Sequence, residues 1–419
     1  MTKTRFERIS QCLACQVPDE SPDNIEDKSH RYCSKAHPLF HIQNVWDEVN
    51  RNCLRRFNPA SDLALDEAMV KYKGFLAWCK KFFMPLKPIR AGFKLYAICE
   101  SASGYMCNFM IHPTSPTNTA VTMKEIVMEV TSPYLDVFHR FYTDKLYTSV
   151  AVAEELLQKK TYITGAVKSN SKGLPLALSN SVKNPDHKTI AAMAKADRGL
   201  FYGRQKGQLT CVIWKDSKVV QFLSTAHQLY GQPSDTLTRK VKEAGQQKRV
   251  QKAIHAPRQA ISYTKNMGGV DRHDQLRSYY TCARKSQKWW KQLLFFLMDA
   301  ARVNAYICFK LSREAAEAAA ATRRTQPAGT SRSCNAHLEL TVLEMDNDSD
   351  SVSIDSQASS GDSSDSDDDD FGSSSHADFT LDLAVGLIAG FAEGMPQKQQ
   401  RHPLLHQLQL QMLTVVMVV

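Results

Sequence analysis

An α/β fold with helices on both flanks and a low-complexity tail is the class this sequence predicts, and three observations carry the prediction. Short β-like apolar runs end beside aspartates, residues 63–65 before Asp66 and residues 137–143 before Asp144. Apolar residues recur at helical spacing on either side of those runs, around Val45 and again over residues 289–311. Beyond about Thr325 the chain turns Ser-, Asp- and Gln-rich and has too little apolar surface to offset the entropy of ordering, so it reads as disordered.

In chain order, Phe6, Ile9 and Leu13 lie at helical spacing, and residues 18–29 are polar and turn-rich. After Pro38 a second helix is expected, with Ile42, Val45, Trp46 and Val49 on one face. The runs 93–99 and 105–111, separated by Glu-Ser-Ala-Ser-Gly, predict a hairpin. Residues 150–160 predict an amphipathic helix that turns Val152, Leu156 and Leu157 inward. A second hairpin is expected from 209–214 and 219–223, turned by Lys215-Asp216-Ser217-Lys218. The basic stretch 239–252 follows, and after Pro257 the chain reads as helical, ending in an Ala-rich extension over 314–324. No internal repeat is evident.

Composition narrows the partners. Of 419 residues, 43% are hydrophobic and 23% charged, ordinary for a globular protein. The net charge of +10 is uneven: residues 339–370 hold twelve acidic side chains and no Lys or Arg, so the rest is far more basic than the total suggests. A basic body points to a polyanion, nucleic acid or an anionic membrane surface. Nucleic acid is favoured, because no run approaches the ~20 consecutive apolar residues of a membrane span. The N-terminus lacks an apolar signal core, and the eleven scattered cysteines read as reduced and mostly buried.

Asp66 and Asp144 close strand-like runs, and Asp271 follows Met267-Gly268-Gly269-Val270 at an expected helix start. Strand-end positions of an α/β sheet lie side by side, so residues distant in sequence can converge there. Three such carboxylates offer hard oxygen ligands for Mg²⁺, and two ions ~3.5–4 Å apart serve phosphodiester chemistry. From composition and spacing alone this signal is weak, because an Asp beside a strand is more often a turn former or a helix cap.

The words around these aspartates resemble the piggyBac family of DNA transposases. Leu65-Asp66-Glu67-Ala68-Met69-Val70-Lys71-Tyr72-Lys73-Gly74 is similar to the stretch at its first aspartate, and Met84-Pro85-Leu86-Lys87-Pro88 with Gly92-Phe93-Lys94 to the strand that follows. Tyr142-Thr143-Asp144-Lys145-Leu146-Tyr147-Thr148-Ser149 resembles the second aspartate motif, and Thr164-Gly165-Ala166-Val167-Lys168-Ser169-Asn170 with Leu174-Pro175 the segment after it. The strongest match is Met267-Gly268-Gly269-Val270-Asp271-Arg272-His273-Asp274-Gln275, which runs on into Arg284-Lys285-Ser286-Gln287-Lys288-Trp289-Trp290. Matching words in order span roughly residues 5–312.

The resemblance implies an RNase H-like catalytic domain interrupted by a β-containing insertion. The corresponding division is 1–60 helical, 61–170 catalytic, 171–256 insertion, 257–280 catalytic, 281–324 helical and 325–419 tail, the helical parts serving dimerisation and DNA binding. It further implies catalytic, metal-holding roles for Asp66, Asp144 and Asp271, a supporting carboxylate at Asp274, and two Mg²⁺ or Mn²⁺ ions. Double-stranded DNA at transposon ends, TTAA target sites, a homodimer and the nucleus complete the expectation, with no membrane partner. Lys87, Arg90, Lys94, Arg284, Lys285 and Lys288 are the candidates for holding phosphates without reading sequence.

The sequence also departs from the family pattern. Lys145 replaces the usual Asn after the second aspartate, and Leu146 an aromatic residue. The Lys145 ammonium either pairs with Asp144 and competes with the cation or points away toward phosphate. The region before Arg5 reads as shorter than in active relatives, and with Cys334 the one cysteine after Cys308 and His337 nearby, two candidate ligands where four are needed, a zinc-binding end-recognition module is expected to be missing. A catalytically impaired, domesticated DNA- or chromatin-binding descendant is therefore the alternative, and a non-specific metal nuclease a third reading. Cys12-x-x-Cys15 with Cys33 and His37 has zinc-like spacing but reads as buried structural cysteines. The 239–252 stretch suits a nuclear-import signal, a phosphate-binding face or a solvated helix side. Of Trp289 and Trp290 at least one belongs to the core. The acidic run 365–370 reads as a solubilising tail.

Overall fold

The computed structural model describes residues 39–325 except 40, 75–81, 86, 113–120, 179–192, 230–234, 242–249 and 287, together with His376, residues 378–380 and Leu383. The first helix around Phe6, the Cys12, Cys15, Cys33 and His37 set, and the acidic run lie outside the described residues.

Helix α1 (Gln43–Arg56) buries Val45, Trp46, Val49 and Cys53, the apolar stripe its spacing predicts. Strands β1 (Asp62–Lys71), β2 (Phe82–Phe83), β3 (Ala91–Glu100) and β4 (Met106–Ile111) follow. Helix α2 (Met123–Thr131) starts at a capping box in which Thr122 and Glu125 satisfy each other's main-chain N–H. Then come β5 (Arg140–Thr143), α3 (Val150–Gln158, capped by Ser149) and β6 (Tyr162–Ala166). Beyond them lie β7 (Phe201–Lys206), β8 (Leu209–Lys215), β9 (Val219–Ser224), β10 (Asp235–Val241) and β11 (Val250–Ala256). Helices α4 (Arg258–Asn266), α5 (Gly269–Tyr279) and α6 (Trp289–Thr325) close the order.

The described strands build one large mixed sheet, in the order β2-β3-β1-β5-β6-β9-β8-β7, with β4 also on β3. β1 is antiparallel to β3 along its whole length and parallel to β5 over residues 62–65; β5 is parallel to β6. β9 joins antiparallel to β6, so the strands of 201–224 extend the same sheet. β10 and β11 pair separately as a two-stranded ribbon.

Successive residues of β1 face opposite sides, and both sides are covered, so its apolar residues Leu63–Leu65 and Ala68–Val70 run on without strict alternation. Leu63 and Leu65, with Tyr96 and Ile98 of β3, pack beneath α2 and α3 through Ile126, Val130, Val152 and Leu156. Ala68 and Val70, with Leu95 and Ala97, pack against α1 and α6 through Val45, Trp46, Leu293 and Leu297. Trp290 is buried and Trp289 half-buried beside that second core.

The structure revises several expectations. β1 continues six residues past Leu65, so Asp66 sits within the strand rather than at its end. β5 begins only at Arg140. Asp136 and Phe138 have left-handed φ values of 64° and 63°, and their N–H groups donate to the carbonyls of Lys159 and Lys160 in the turn before β6. Val137 and Phe138 are exposed there, an apolar pair that reads as strand but lies in a turn. The described ends of the basic stretch form the β10–β11 ribbon, not a helix side. Helix α6 is long and apolar enough to cross a bilayer, yet its apolar residues line the core. His376, Phe379 and Leu383, expected to be disordered, are helical or packed: Phe379 and Leu383, at i,i+4 spacing, cover Ala305 of α6, and the His376 ring stacks on Tyr306.

Candidate active site

The site grows out of the place where β1 loses its parallel neighbour. Leu65 and Thr143 are the last aligned pair of β1 and β5. Asp66 and Asp144 are the next residue on each chain, on strands about 4.8 Å apart. Asp144 is fixed through its main chain: its carbonyl accepts from the N–H of Tyr147 (3.0 Å) and Thr148 (3.1 Å) and from Thr148 Oγ1 (3.0 Å). That turn packs on β6 at Gly165, where a Cβ would collide with Thr148 Oγ1, Thr143 O and Thr143 Oγ1.

Asp271 arrives on the first turn of α5, where its negative charge suits the helix N-terminus. The helix can come this close because Gly269 faces β1 and β3 directly; a Cβ there would stand 2.9 Å from the Glu100 carbonyl and 3.2 Å from Ala64. Two further residues of the same word clamp α5 to the β3–β4 turn. Arg272 Nη1 donates to the carbonyls of Ser101 (2.5 Å) and Ala102 (2.6 Å), and buried His273 contacts Gly104 O through Nδ1 (3.0 Å). Asp274 pairs with Arg277 Nη2 at 2.9 Å.

Lys87 joins Asp66 to Asp271. Its Nζ lies 3.3 Å from Asp271 Oδ1, 3.8 Å from Asp66 Oδ2 and 3.5 Å from the Glu67 carbonyl. Burial alone would depress this ammonium, but Asp66 and Asp271 outweigh burial and hold it above the usual lysine range. Asp66 is pushed well above the usual carboxylate range by burial and then by its Glu67 neighbour, with Lys87 opposing. Asp274 is raised by burial, with Arg277 opposing. Tyr263 of α4 feels Asp144, Asp66 and Asp271 together; burial first, and then those three charges, keep its phenol protonated. It marks the common ground of the three aspartates.

The predicted residues thus divide. Asp66 and Asp271 meet at Lys87, and Asp274 lies one helical turn behind. Asp144 stands beside Asp66 by register, but among the described residues its carboxylate has no ion pair. Lys145 is exposed and makes none either, so it does not pair with Asp144. The cation in contact with Asp66 and Asp271 is Lys87. Lys94 requires a correction: it is buried, its Nζ bonded to Glu67 Oε1 at 2.9 Å, and it is not free to meet phosphate. Arg90, Arg284, Lys285 and Lys288 are exposed. The last three lie in the loop entering α6, which buried Asp299 anchors by accepting from Thr281 Oγ1 (2.6 Å) and Cys282 N (2.9 Å). Sequence reasoning missed Tyr263 and Arg277 and assigned Lys87 only to phosphate. The signal for Lys87 was its place beside two prolines in Met84-Pro85-Leu86-Lys87-Pro88.

Three aspartates are hard oxygen donors of the kind Mg²⁺ and Mn²⁺ take. The Lys87 ammonium is a stand-in ion between two of them, so the charge of the pocket suits a cation. Among the described residues, no three His, Cys, Asp or Glu side chains gather closely enough to hold a metal as they stand.

Comparison with known proteins gives a consistent picture. The family described as Transposase IS4 matches residues 1–306. Human PiggyBac transposable element-derived protein 3 is 27% identical over 317 residues, covering 73% of this chain and 48% of that protein. Human PiggyBac transposable element-derived protein 5 is 21% identical over 299 residues, covering 67% and 52%. The chain therefore spans about half the length of these relatives. A cryo-EM structure of a piggyBac transposase synaptic complex with hairpin DNA is similar at a TM-score of 0.56 and 25% identity, over 74% of this chain and 57% of that one.

Proposed function

The chain belongs to the piggyBac-type transposase family, and from that premise we propose that it cleaves and rejoins DNA at transposon ends by metal-dependent phosphoryl transfer. The observation that carries this reading is the convergence at one sheet notch: Asp66 and Asp144 adjacent by parallel register, with Asp271 brought over β1 by α5. The strand order, with β3 and β4 antiparallel and β5 and β6 parallel to β1, supports reading this sheet as an RNase H-like core with 171–256 as its insertion.

Asp66, Asp144 and Asp271 would hold the divalent ions. Bound Mg²⁺ or Mn²⁺ supplies an activated water or 3′-hydroxyl and stabilises the leaving oxygen. The protein's own contribution is placement. Arg272 and His273 fix α5 on the β3–β4 turn, and the Asp274–Arg277 pair stiffens its next turn. Arg284, Lys285 and Lys288 present positive charge to the DNA backbone. TTAA target sites, a homodimeric assembly and a nuclear location belong to the same proposal. Mg²⁺- or Mn²⁺-dependent cleavage of duplex DNA bearing the flanking repeats tests it. Activity in the wild type that disappears in Asp271→Ala is the expected result.

A second reading, a domesticated DNA-binding descendant, is favoured by one observation: the Asp144 carboxylate is not joined to the other two, and exposed Lys145 follows it. Salt-sensitive DNA binding without cleavage in either metal would favour that reading.

A further inference from the structure

We propose that Lys87 is a built-in counter-ion that occupies the cation position between Asp66 and Asp271 and must swing out before a divalent ion can bind. The inference rests on the metal-dependent reading above and adds a gate to it.

An ammonium has three donors and no acceptor. At Lys87 three acceptors surround it: Asp271 Oδ1, Asp66 Oδ2 and the Glu67 carbonyl. These come from two elements far apart in sequence, β1 and α5, so this one side chain ties the helix to the strand. Its own backbone sits in a tight turn between β2 and β3, where Lys87 N donates to Met84 O (3.2 Å) and Met84 N to Arg90 O (2.8 Å). The turn fixes the Cα, whereas the four-carbon stem stays flexible and a quarter of the side chain remains open to solvent. The ammonium can therefore leave without moving the main chain.

A divalent ion shared by Asp66 and Asp271 would stand in direct contact with that ammonium. The like-charge repulsion acts in a partly buried setting, where charges interact several times more strongly than in water. Ion and ammonium are therefore alternatives. Once displaced, the ammonium lies beside the site and is free to take a phosphate oxygen, which reconciles its place among carboxylates with the phosphate-holding role expected from sequence.

Mn²⁺ binding to the full chain without DNA, followed by the electron paramagnetic signal of free Mn²⁺, provides the test. Lys87→Gln should bind Mn²⁺ on the order of tenfold more tightly than wild type, whereas Lys87→Arg, which keeps the charge, should not. Asp271→Asn should weaken binding in every background. Equal or weaker binding in Lys87→Gln, with Asp271→Asn still impaired, overturns the gate and leaves the carboxylate site standing. Loss of Mn²⁺ binding in wild type and Lys87→Gln alike overturns both. A measurement on the unaltered chain covers a poorly folding variant: labelling of Lys87 by an amine-reactive reagent should rise several-fold on Mn²⁺ saturation, and an unchanged rate contradicts the inference.

Discussion

Two lysine–carboxylate pairs sit on opposite faces of β1, one residue apart in sequence, and they are built differently. Glu67 and Lys94 face the core under α2 and α3. They are 2.9 Å apart, each with only 8% of its side chain exposed, and the Lys94 ammonium also lies over the Tyr96 ring at 5.1 Å. Glu67 is drawn below its usual range: burial opposes this, but hydrogen bonds from Asp66 and Lys94 prevail. Asp66 and Lys87 face the notch. Their closest approach is 3.8 Å, and Lys87 divides itself among several acceptors. A pair closed on itself and sealed by aromatic rings is structural. A cation shared among carboxylates at a solvent edge is a pair ready to exchange partners.

The largest effect should come from breaking the closed pair. Glu67→Ala or Lys94→Ala leaves an uncompensated buried charge and should cost about 3–5 kcal/mol in denaturant unfolding. Replacing both by Leu and Met should cost much less, because no charge is stranded. Next in size is Gly165→Ala, which forces β6 away from Thr143 and Thr148 and should cost about 1–3 kcal/mol while displacing Asp144. If DNA cleavage fell no further than the folded fraction, Asp144 would not depend on this contact. On the open face, Asp66→Asn should leave stability within about 1 kcal/mol of wild type and abolish cleavage, the reverse of the Glu67 result.

The smallest and most discriminating effect is in pH. Asp66 is raised, so its stabilising contribution is complete below about pH 3.8 and is lost as pH rises through its folded value. Glu67 is lowered, so its contribution is complete above about pH 4.5 and is lost as pH falls toward about 2. Thermal midpoints of Asp66→Asn should therefore lack the decline with rising pH above about 4 that is expected of wild type. An identical pH profile for the two proteins would show that the Asp66 carboxyl does not contribute in this range.

Much of this was legible in the sequence. The 93–99 and 105–111 hairpin, the Val45–Trp46–Val49 face and the helix beginning near Asp271 follow from periodicity and turn residues, which are local properties. The three aspartates were legible because motif words travel with them. The length of β1 was not: whether a strand stops at Leu65 or runs to Lys71 depends on which neighbours extend beside it, and β3 does while β5 does not. Lys94 was misassigned for a related reason. Its burial is set by the β1–β3 register, which puts it diagonally across from Glu67. Val137 and Phe138 carry strand-like side chains in a segment whose backbone is pinned elsewhere.

Past Leu65, β1 pairs with β3 alone among the described strands. Along that stretch its carbonyls at Glu67 and Met69 accept from Lys87 Nζ and Arg277 Nη2 instead of from a strand. Two side chains thus do what a missing row of amides would do, and side chains, unlike a ladder, can let go one at a time. Asp66 thereby keeps the stiffness of the sheet on its β3 side and has the Lys87 side chain, not a paired strand, on the other. Reaching it calls for no unfolding of the domain, only the release of a single lysine.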